Sequence, residues 1–431
     1  MKPLLKRMVV HILRWEARAV LVKFKPRVVA ITGSVGNSST KEAIAAVLTS
    51  KFHIQKSPKS YNSEFGVPLA ILGLSTPWSS PTGWVATLVK GFFRRFQKEY
   101  PEILVLEAGV DRPSDMDGVL SVIQPEVSVI TAIGEIPVHV EFFSGPKELA
   151  FEKGKLARGT LSTGVVLLNA DDDVVYDMRN EARGKVVTFG FGRGADIRVS
   201  QYALYSQRNA LGIEIPAGIR CKVDYQGSTI PLHLEGALGK QQLYIAAAAI
   251  GVGGYFGINM LDAARALEGY KPLSGRLRIL EGIKNSVLLD DSYNASPMAM
   301  HAALDTLRDA PARRRIAVLA DMLEIGKFTI QAHQAMGELA GSLVDVLITV
   351  GPRAKFIAKE AIERGMKRDR VHELGSSVEA GALLADMLQP GDVALVKGSQ
   401  SMRMERAVEA IMAHPEQKKE LLVRQEEYWK P

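Results

Sequence analysis

A single cysteine, Cys221, in 431 residues excludes an intramolecular disulfide framework and fits a reducing compartment. There is no signal-peptide pattern with a cleavage site, no internal repeat and no low-complexity segment. Acidic residues are scarce in one place above all. Residues 1–27 hold eight Lys and Arg against Glu16 alone, so the chain's formal charge of +7 belongs to this segment and the remainder is formally neutral. A nucleic-acid partner, which calls for a basic face on a folded domain, is therefore not expected. One uncharged stretch, 241–261, has the length of a membrane span. Gly251, Gly253, Gly254 and Gly257 interrupt it, and Ala246 to Ala249 suit a tightly packed helix, so it reads as core.

What is present is ordinary for a globular chain: 47% hydrophobic and 23% charged residues, over a length of about two to three domains. At the N-terminus Leu4, Leu5, Met8, Val9, Ile12 and Leu13 recur at helical spacing, with Trp15 and Val20 beyond. Residues 1–25 thus form a basic amphipathic helix. Such a helix can lie on an anionic membrane surface; its apolar stripe serves equally to pack on the domain that follows or on a second copy. The expected location is cytoplasmic, with a peripheral membrane position open through this segment.

From residue 28 onward, short β-rich apolar runs alternate with helical patterns: 28–31, 103–106, 127–130, 165–168 and 186–189. This predicts a doubly wound parallel sheet. Between 197 and 234 the runs alternate more tightly with turns, which predicts an antiparallel appendage. A second α/β series follows at 287–289, 316–319, 346–350 and 393–396. The Pro/Gly-containing stretch 270–275 marks the expected boundary, giving one domain over 26–272 and another over 275–431. The last fifteen residues read as one more helix.

The chemistry starts at 31–42, Ile-Thr-Gly-Ser-Val-Gly-Asn-Ser-Ser-Thr-Lys-Glu, directly after the first strand. A strand, a glycine turn and a helix start form the arrangement that cradles nucleotide phosphates on backbone N–H groups. Gly33, Ser34, Val35, Gly36, Asn37, Ser38 and Ser39 are the candidate contacts, with Ser38 in the hydroxyl position that ligates Mg²⁺. Asn37 occupies the place where such loops put a lysine on the β- and γ-phosphates. It can donate a hydrogen bond but carries no charge. Read alone, the segment is also compatible with a plain structural turn. Glu107 ends the second long strand, beside the loop, where a carboxylate can hold a metal ion. His139 and, fourteen residues on, Lys153 stand out next, followed by Asp290-Asp291-Ser292-Tyr293-Asn294-Ala295-Ser296-Pro297 at the start of the second series.

Together, in this order, these segments resemble the Mur ligases over about residues 28–412. The likeness is to the branch that adds D-alanyl-D-alanine to UDP-N-acetylmuramoyl-tripeptide. The run from Asp290 to Pro297 is similar to that branch's signature, with Ser296 for its second asparagine. Further matches are Tyr61-Asn62-Ser63-Glu64-Phe65-Gly66-Val67-Pro68, Asn169-Ala170-Asp171-Asp172, Ala320-Asp321-Met322-Leu323-Glu324-Ile325-Gly326 with His333, and the ten residues from Val396 to Glu405.

The resemblance implies a P-loop ATPase domain followed by a Rossmann-like domain. ATP and Mg²⁺ would be the cofactors, and a peptide precursor with an amino acid or dipeptide the substrates. By the same resemblance Ser38 and Glu107 hold Mg²⁺, and His139 with Glu107 a second one. Lys153 matches a lysine whose carbamylated form supports that metal, so Asn37, His139 and Lys153 form the catalytic set. Gln242 contacts adenine, while Arg276 and Asp291 reach the nucleotide. Asn62, Asn294, Ser296, Lys397 and Ser399 serve the substrates. Members of the family carry a domain of about a hundred residues ahead of the loop for the UDP moiety. Some thirty residues precede it here, so UDP recognition is expected to be lost, changed or supplied by another protein.

Overall fold

The computed structural model describes residues 3–58, 61–78, 80–209, 211–426 and 429. Its first sheet has nine strands: β1 (Arg27–Thr32), β2 (Ile54–Lys56), β3 (Ile103–Glu107), β4 (Val127–Ile130), β5 (Val165–Asn169), β6 (Lys185–Gly190), β7 (Ile197–Arg208), β8 (Glu214–Tyr225) and β9 (Ser228–Glu235). Their spatial order is 2-3-1-4-5-6-7-8-9. The pairs from β2 to β7 are parallel, and β7–β8 and β8–β9 antiparallel. The expected antiparallel appendage is therefore a continuation of the main sheet, joined where Phe189 and Gly190 run alongside Ile197 and Arg198.

Helices cover both faces of the parallel part, which is why its central strands are near-continuous Val, Ile and Leu. The period-2 alternation sorts the two cores. Val29, Ile31, Ile103, Val105, Val127, Val129, Val165 and Leu167 face the helices Asn37–Thr49 and Lys240–Tyr255. Val28, Ala30, Leu104 and Leu106 face the helices Pro3–Phe24 and Gly66–Leu72. The uncharged stretch is indeed core: Ala246 to Ala249 are all buried. A Cβ on Gly251 would stand 2.4 Å from Ile197 Cδ1 and 2.6 Å from Leu167 Cδ2, so glycine there sets how closely that helix approaches the sheet.

The second sheet contains β10 (Arg278–Gly282), β11 (Ser286–Asp291), β12 (Arg314–Ala320), β13 (Val346–Val350), β14 (Val371–Leu374) and β15 (Asp392–Lys397), in the order 10-11-15-12-13-14. All its pairs are parallel except β10–β11. The sequence reading misses β2, β10 and β14. One expectation is corrected at the C-terminus, where a helix was expected over the last fifteen residues. Among the described residues, the chain there forms the turn Pro415–Gln417 and the short helix Lys418–Leu421 and then leaves helical geometry at 422–426. Beyond them Arg424 takes φ 58° and its guanidinium holds Glu405 Oε2 (2.9 Å) and the carbonyl oxygens of Ser292 (3.3 Å) and Tyr293. Those tethers draw the chain across the second sheet's loops rather than into a helix; residues 427, 428, 430 and 431 lie outside the described set.

Candidate active site at the phosphate loop

Strand β1 ends at Thr32 and the next helix begins at Asn37, leaving four residues for the turn. Gly33 (φ 151°) and Gly36 (φ 91°) supply the conformations L-residues avoid. A Cβ on Gly33 would lie 2.1 Å from Thr131 Oγ1. The N–H groups of Ser34 and Val35 donate to the carbonyl of Ala132, at 2.6 and 3.2 Å. Those at the start of the helix have no intrahelical acceptor, as at any helix N-terminus, and so form a ready anion cradle.

Asn37 does not project freely from the loop. Its Nδ2 donates to Gly33 O (2.8 Å) and its Oδ1 accepts from Thr131 Oγ1 (2.8 Å), so the carboxamide braces the turn. Lys153, fully buried on the helix Pro146–Gly159, donates from Nζ to the same Gly33 carbonyl at 2.9 Å. Burial drives its pKa down to about 8, against the attraction of Asp111, Glu107 and Asp115.

Ser38 and Glu107 meet as expected. Ser38 Oγ lies 3.2 and 3.0 Å from the two carboxylate oxygens, both residues buried. Lys41 Nζ stands 3.8 Å from Glu107 Oε2. Burial pushes the Glu107 pKa up and the Lys41 pKa down, each opposed by the other's charge. His139 (φ 70°) belongs to a different group. Its Nδ1 lies 3.0 Å from Glu324 Oε2 and its Nε2 3.5 Å from Asp111 Oδ1. Among the described residues, no set of three or more His, Cys, Asp or Glu side chains is gathered at metal-binding distance.

A cleft opens between the loop and the second sheet. Of the candidates, Ser34, Val35, Gly36, Ser39, Gln242, Arg276, Asp291, Asn294, Ser296 and Lys397 line it. Lys397 Nζ donates to Asp291 Oδ2 (2.6 Å) and to Asn294 O (2.9 Å), and Asp291 Oδ1 accepts from Leu277 N–H (3.1 Å). The Arg276 guanidinium lies 3.9 Å from the Tyr293 ring centroid. Ser296 caps the helix Pro297–Asp309 by accepting from Ala299 N–H. The two remaining substrate candidates lie outside the lining. Ser399 Oγ accepts from Leu323 N–H (2.9 Å), and the Asn62 carbonyl accepts from Gly109 N–H (2.8 Å).

Three buried oxygens at this cleft, Ser34 Oγ, Gln241 Oε1 and Gln242 Oε1, have no hydrogen-bond partner among the described residues. Buried polar atoms are costly to leave unpaired, so a polar ligand in the cleft fits them. The oxygen donors Ser38 and Glu107 are the ligand type a hard divalent cation takes. Sequence reasoning passed over Asp111 as a separate candidate, although it faces both His139 and Lys153. It also passed over Asp172, whose Oδ2 accepts from Ile133 and Gly134 N–H at 2.8 and 2.9 Å. Asp290 is fully buried and raised to about 6, chiefly by burial, and it accepts from Gly275 and Ser292 N–H.

Comparison with known proteins bears on the same residues. Residues 31–253 match the Mur ligase middle domain and residues 275–400 the Mur ligase, glutamate ligase domain. The UDP-N-acetylmuramoyl-tripeptide–D-alanyl-D-alanine ligase of Bacillus subtilis is 27% identical over 401 residues, covering 93% of this chain and 79% of the relative. The corresponding ligase of Escherichia coli is 28% identical over 390 residues, covering 89% and 76%. A crystal structure of MurF ligase from Thermotoga maritima in complex with ADP superposes with a TM-score of 0.75 at 25% identity, covering 93% of this chain and 83% of that one.

Proposed function

The chain belongs to the Mur ligase family, and we propose that it is an ATP-dependent acid–amino-acid ligase. In this reading it joins a D-alanyl-D-alanine-like amine to the carboxylate of a UDP-muramoyl-peptide-like precursor. The observation that carries the proposal is the cleft in which Ser34, Val35, Gly36 and Ser39 of the glycine loop face Arg276, Asp291, Asn294 and Lys397. It brings phosphate-binding backbone and a second set of polar groups to one space.

The reaction divides into two steps. A carboxylate oxygen of the precursor attacks the γ-phosphorus of ATP, the bond to the β–γ bridging oxygen breaks, and ADP leaves. The amine nitrogen then attacks the acyl phosphate carbon, the C–O bond to phosphate breaks, and the nitrogen loses a proton as the amide forms. Catalysis of this kind is mostly positioning and charge neutralisation. The loop backbone and helix N-terminus bind the phosphates. Ser38 and Glu107 would hold Mg²⁺, which when bound neutralises phosphate charge. Gln242 stands at the adenine side and Arg276 at the phosphates. Asn294, Ser296 and Lys397 line the amine pocket, and Asp291 fixes the Lys397 ammonium through their 2.6 Å contact. By the family resemblance Ser399 and Asn62 would also serve the substrates, from outside this lining.

Lys153 has two states to offer. As an ammonium it places positive charge under the loop. As a free amine, favoured by its pKa of about 8, it can add CO₂ with release of a proton, and the carbamate oxygen would then be an anionic donor for a cation held by Glu107. In this reading the enzyme works in the cytoplasm, and residues 1–25 can serve a membrane surface or self-association. Purified protein with Mg-ATP should release ADP only when both a precursor and an amine are supplied. ATP binding without turnover on any such pair would instead favour a nucleotide-binding scaffold derived from a ligase, which the uncharged Asn37 would suit.

A further inference from the structure

The helix Pro3–Phe24 turns Val9, Val10, Leu13, Ala17 and Val20 inward onto the first sheet's core. This is the packing role its apolar stripe allowed. The opposite face stays apolar too: Leu5, Met8, Trp15 and Val22 are 43–73% exposed. Beside it lies the helix Pro81–Arg94, capped by Ser80 and buried only at Thr87 and Gly91. Its outward stripe, with Phe96 just past its end, repeats at helical spacing. Val85, Val89, Phe93 and Phe96 are each more than half exposed, with Phe92 at 37%.

The two stripes merge. Trp15 stacks on Phe92 at 6.4 Å, and Phe92, Phe93 and Phe96 form a triangle with centroids 5.5 to 6.2 Å apart. The Arg95 guanidinium caps this cluster, 4.1 Å from Phe92, 4.8 Å from Phe96 and 5.2 Å from Trp15. A solvent-facing patch built from this many large apolar side chains marks a contact surface.

Charge selects the occupant. Residues 65–98 contain Lys90, Arg94, Arg95 and Lys98 and no acid, alongside the basic residues 1–27. The single acid of the N-terminal helix, Glu16, is turned inward and 4% exposed, against Gly91 of the neighbouring helix. Two acids flank this stretch: Glu64, which pairs with Lys6 at 2.7 Å, and the exposed Glu99, next in sequence to Lys98. A two-fold contact between copies would set these cations against each other. An anionic surface would neutralise them. Rings, aliphatic residues and a fringe of Lys and Arg on two helices are the composition of an interfacial membrane face. Among the described residues, no helix is long and apolar enough to cross a membrane.

We propose that the joint face of the helices Pro3–Phe24 and Pro81–Arg94 seats this protein on an anionic lipid bilayer. Trp15, Phe92, Phe93 and Phe96 enter the headgroup–acyl boundary, and Lys6, Arg7, Lys90 and Lys98 lie at the level of the lipid phosphates. The inference does not depend on the ligase reading.

Flotation of the full chain with vesicles tests it. Phosphatidylcholine–phosphatidylglycerol vesicles should carry the protein upward at low salt and less so at high salt, and phosphatidylcholine alone should not. Phe93→Ser combined with Phe96→Ser should weaken binding by about tenfold or more, with melting temperature and nucleotide affinity unchanged. Arg7→Glu with Lys90→Glu should weaken it as well. No flotation on anionic vesicles at low salt would overturn the proposal. So would undiminished binding of the phenylalanine variant, which would reduce the effect to charge adsorption. A dimer that this variant dissociates, with no lipid binding by the wild type, would assign the face to a second copy.

Discussion

Asn37 and Lys153 donate to one acceptor, the carbonyl oxygen of Gly33, from 2.8 and 2.9 Å. The charge missing from the loop at position 37 is thus present beneath it, on a side chain that arrives from a helix more than a hundred residues away. The carboxamide of Asn37 is spent on bracing the turn, since its other end is held by Thr131. The loop keeps its shape without a cation of its own at position 37.

That arrangement sets the outcome of Asn37→Lys. A cation at this position would interact more strongly with the transferring phosphoryl group in the transition state than in the bound ground state. Donors of that kind are worth roughly 10²–10³ in rate. Substrate-dependent ADP release should rise by about two orders of magnitude, while ATP affinity, carried by backbone N–H groups, changes little. Steady-state kinetics with parallel nucleotide titration checks this. An unchanged, already fast turnover would mean that Lys153 or another group supplies the charge.

Lys153 makes a prediction in pH. Its pKa in the folded protein, about 8, lies below the ordinary lysine value. Between the two values the unfolded chain binds more protons, so stability rises with pH across that window. Below pH 8 the full cost is present, about 3 kcal/mol at the conversion of 1.36 kcal/mol per unit. Lys153→Met removes it. The variant should therefore melt higher than the wild type near pH 7, and the difference should shrink as pH climbs above 8. A pH-independent difference would show that the ammonium is not the source. In ¹³C-bicarbonate, a carbamate resonance absent from the variant would identify the anionic form.

Gly33→Ala tests the loop geometry. The added methyl would stand 2.1 Å from Thr131 Oγ1 and 2.7 Å from Asn37 Oδ1, at a backbone angle that L-residues rarely adopt. Local displacement of the turn should weaken ATP binding by at least about tenfold, because the phosphate contacts are made by the displaced backbone. Calorimetry reads the affinity, and circular dichroism confirms that the remaining fold persists. Normal affinity would remove the loop from the nucleotide site.

Much of this architecture is legible in the sequence because burial writes it there. Strands covered on both faces, such as Ile103–Glu107 and Val165–Asn169, are unbroken apolar runs up to their last residue. The glycines of the loop announce a turn before a helix. The missed strands are short or lie at an edge and interleave charge, as in Ile54–Lys56 and Val371–Leu374, where a half-exposed face erases the signal. The partners of His139 were equally hidden. Glu324 reaches it from the second half of the chain, so no local spacing records the contact. The outward stripe of Pro81–Arg94 looks like core in the sequence, since apolar periodicity does not say which face is covered.

Glu107→Gln separates metal binding from folding. Lys41 would be left buried with one of its two carboxylate partners, Glu107 at 3.8 Å, neutralised. Removing one partner of a buried pair typically costs about 3–5 kcal/mol, and Glu42 at 3.6 Å offsets part of it. The melting temperature should fall, and Mg²⁺ should no longer strengthen ATP binding. Retained Mg²⁺ dependence would place the metal away from Ser38 and Glu107.

The central claim is that a precursor carboxylate, rather than water, takes the γ-phosphoryl group of ATP. Oxygen isotope transfer reads this directly. With precursor labelled by ¹⁸O in the acceptor carboxylate, unlabelled ATP, Mg²⁺ and D-alanyl-D-alanine, the attacking oxygen remains on phosphorus when the amine cleaves the acyl C–O bond. Mass spectrometry of the released phosphate should find one ¹⁸O derived from the carboxylate in each molecule. Phosphate released in the presence of both substrates but free of the label would show hydrolysis by water and contradict ligase chemistry.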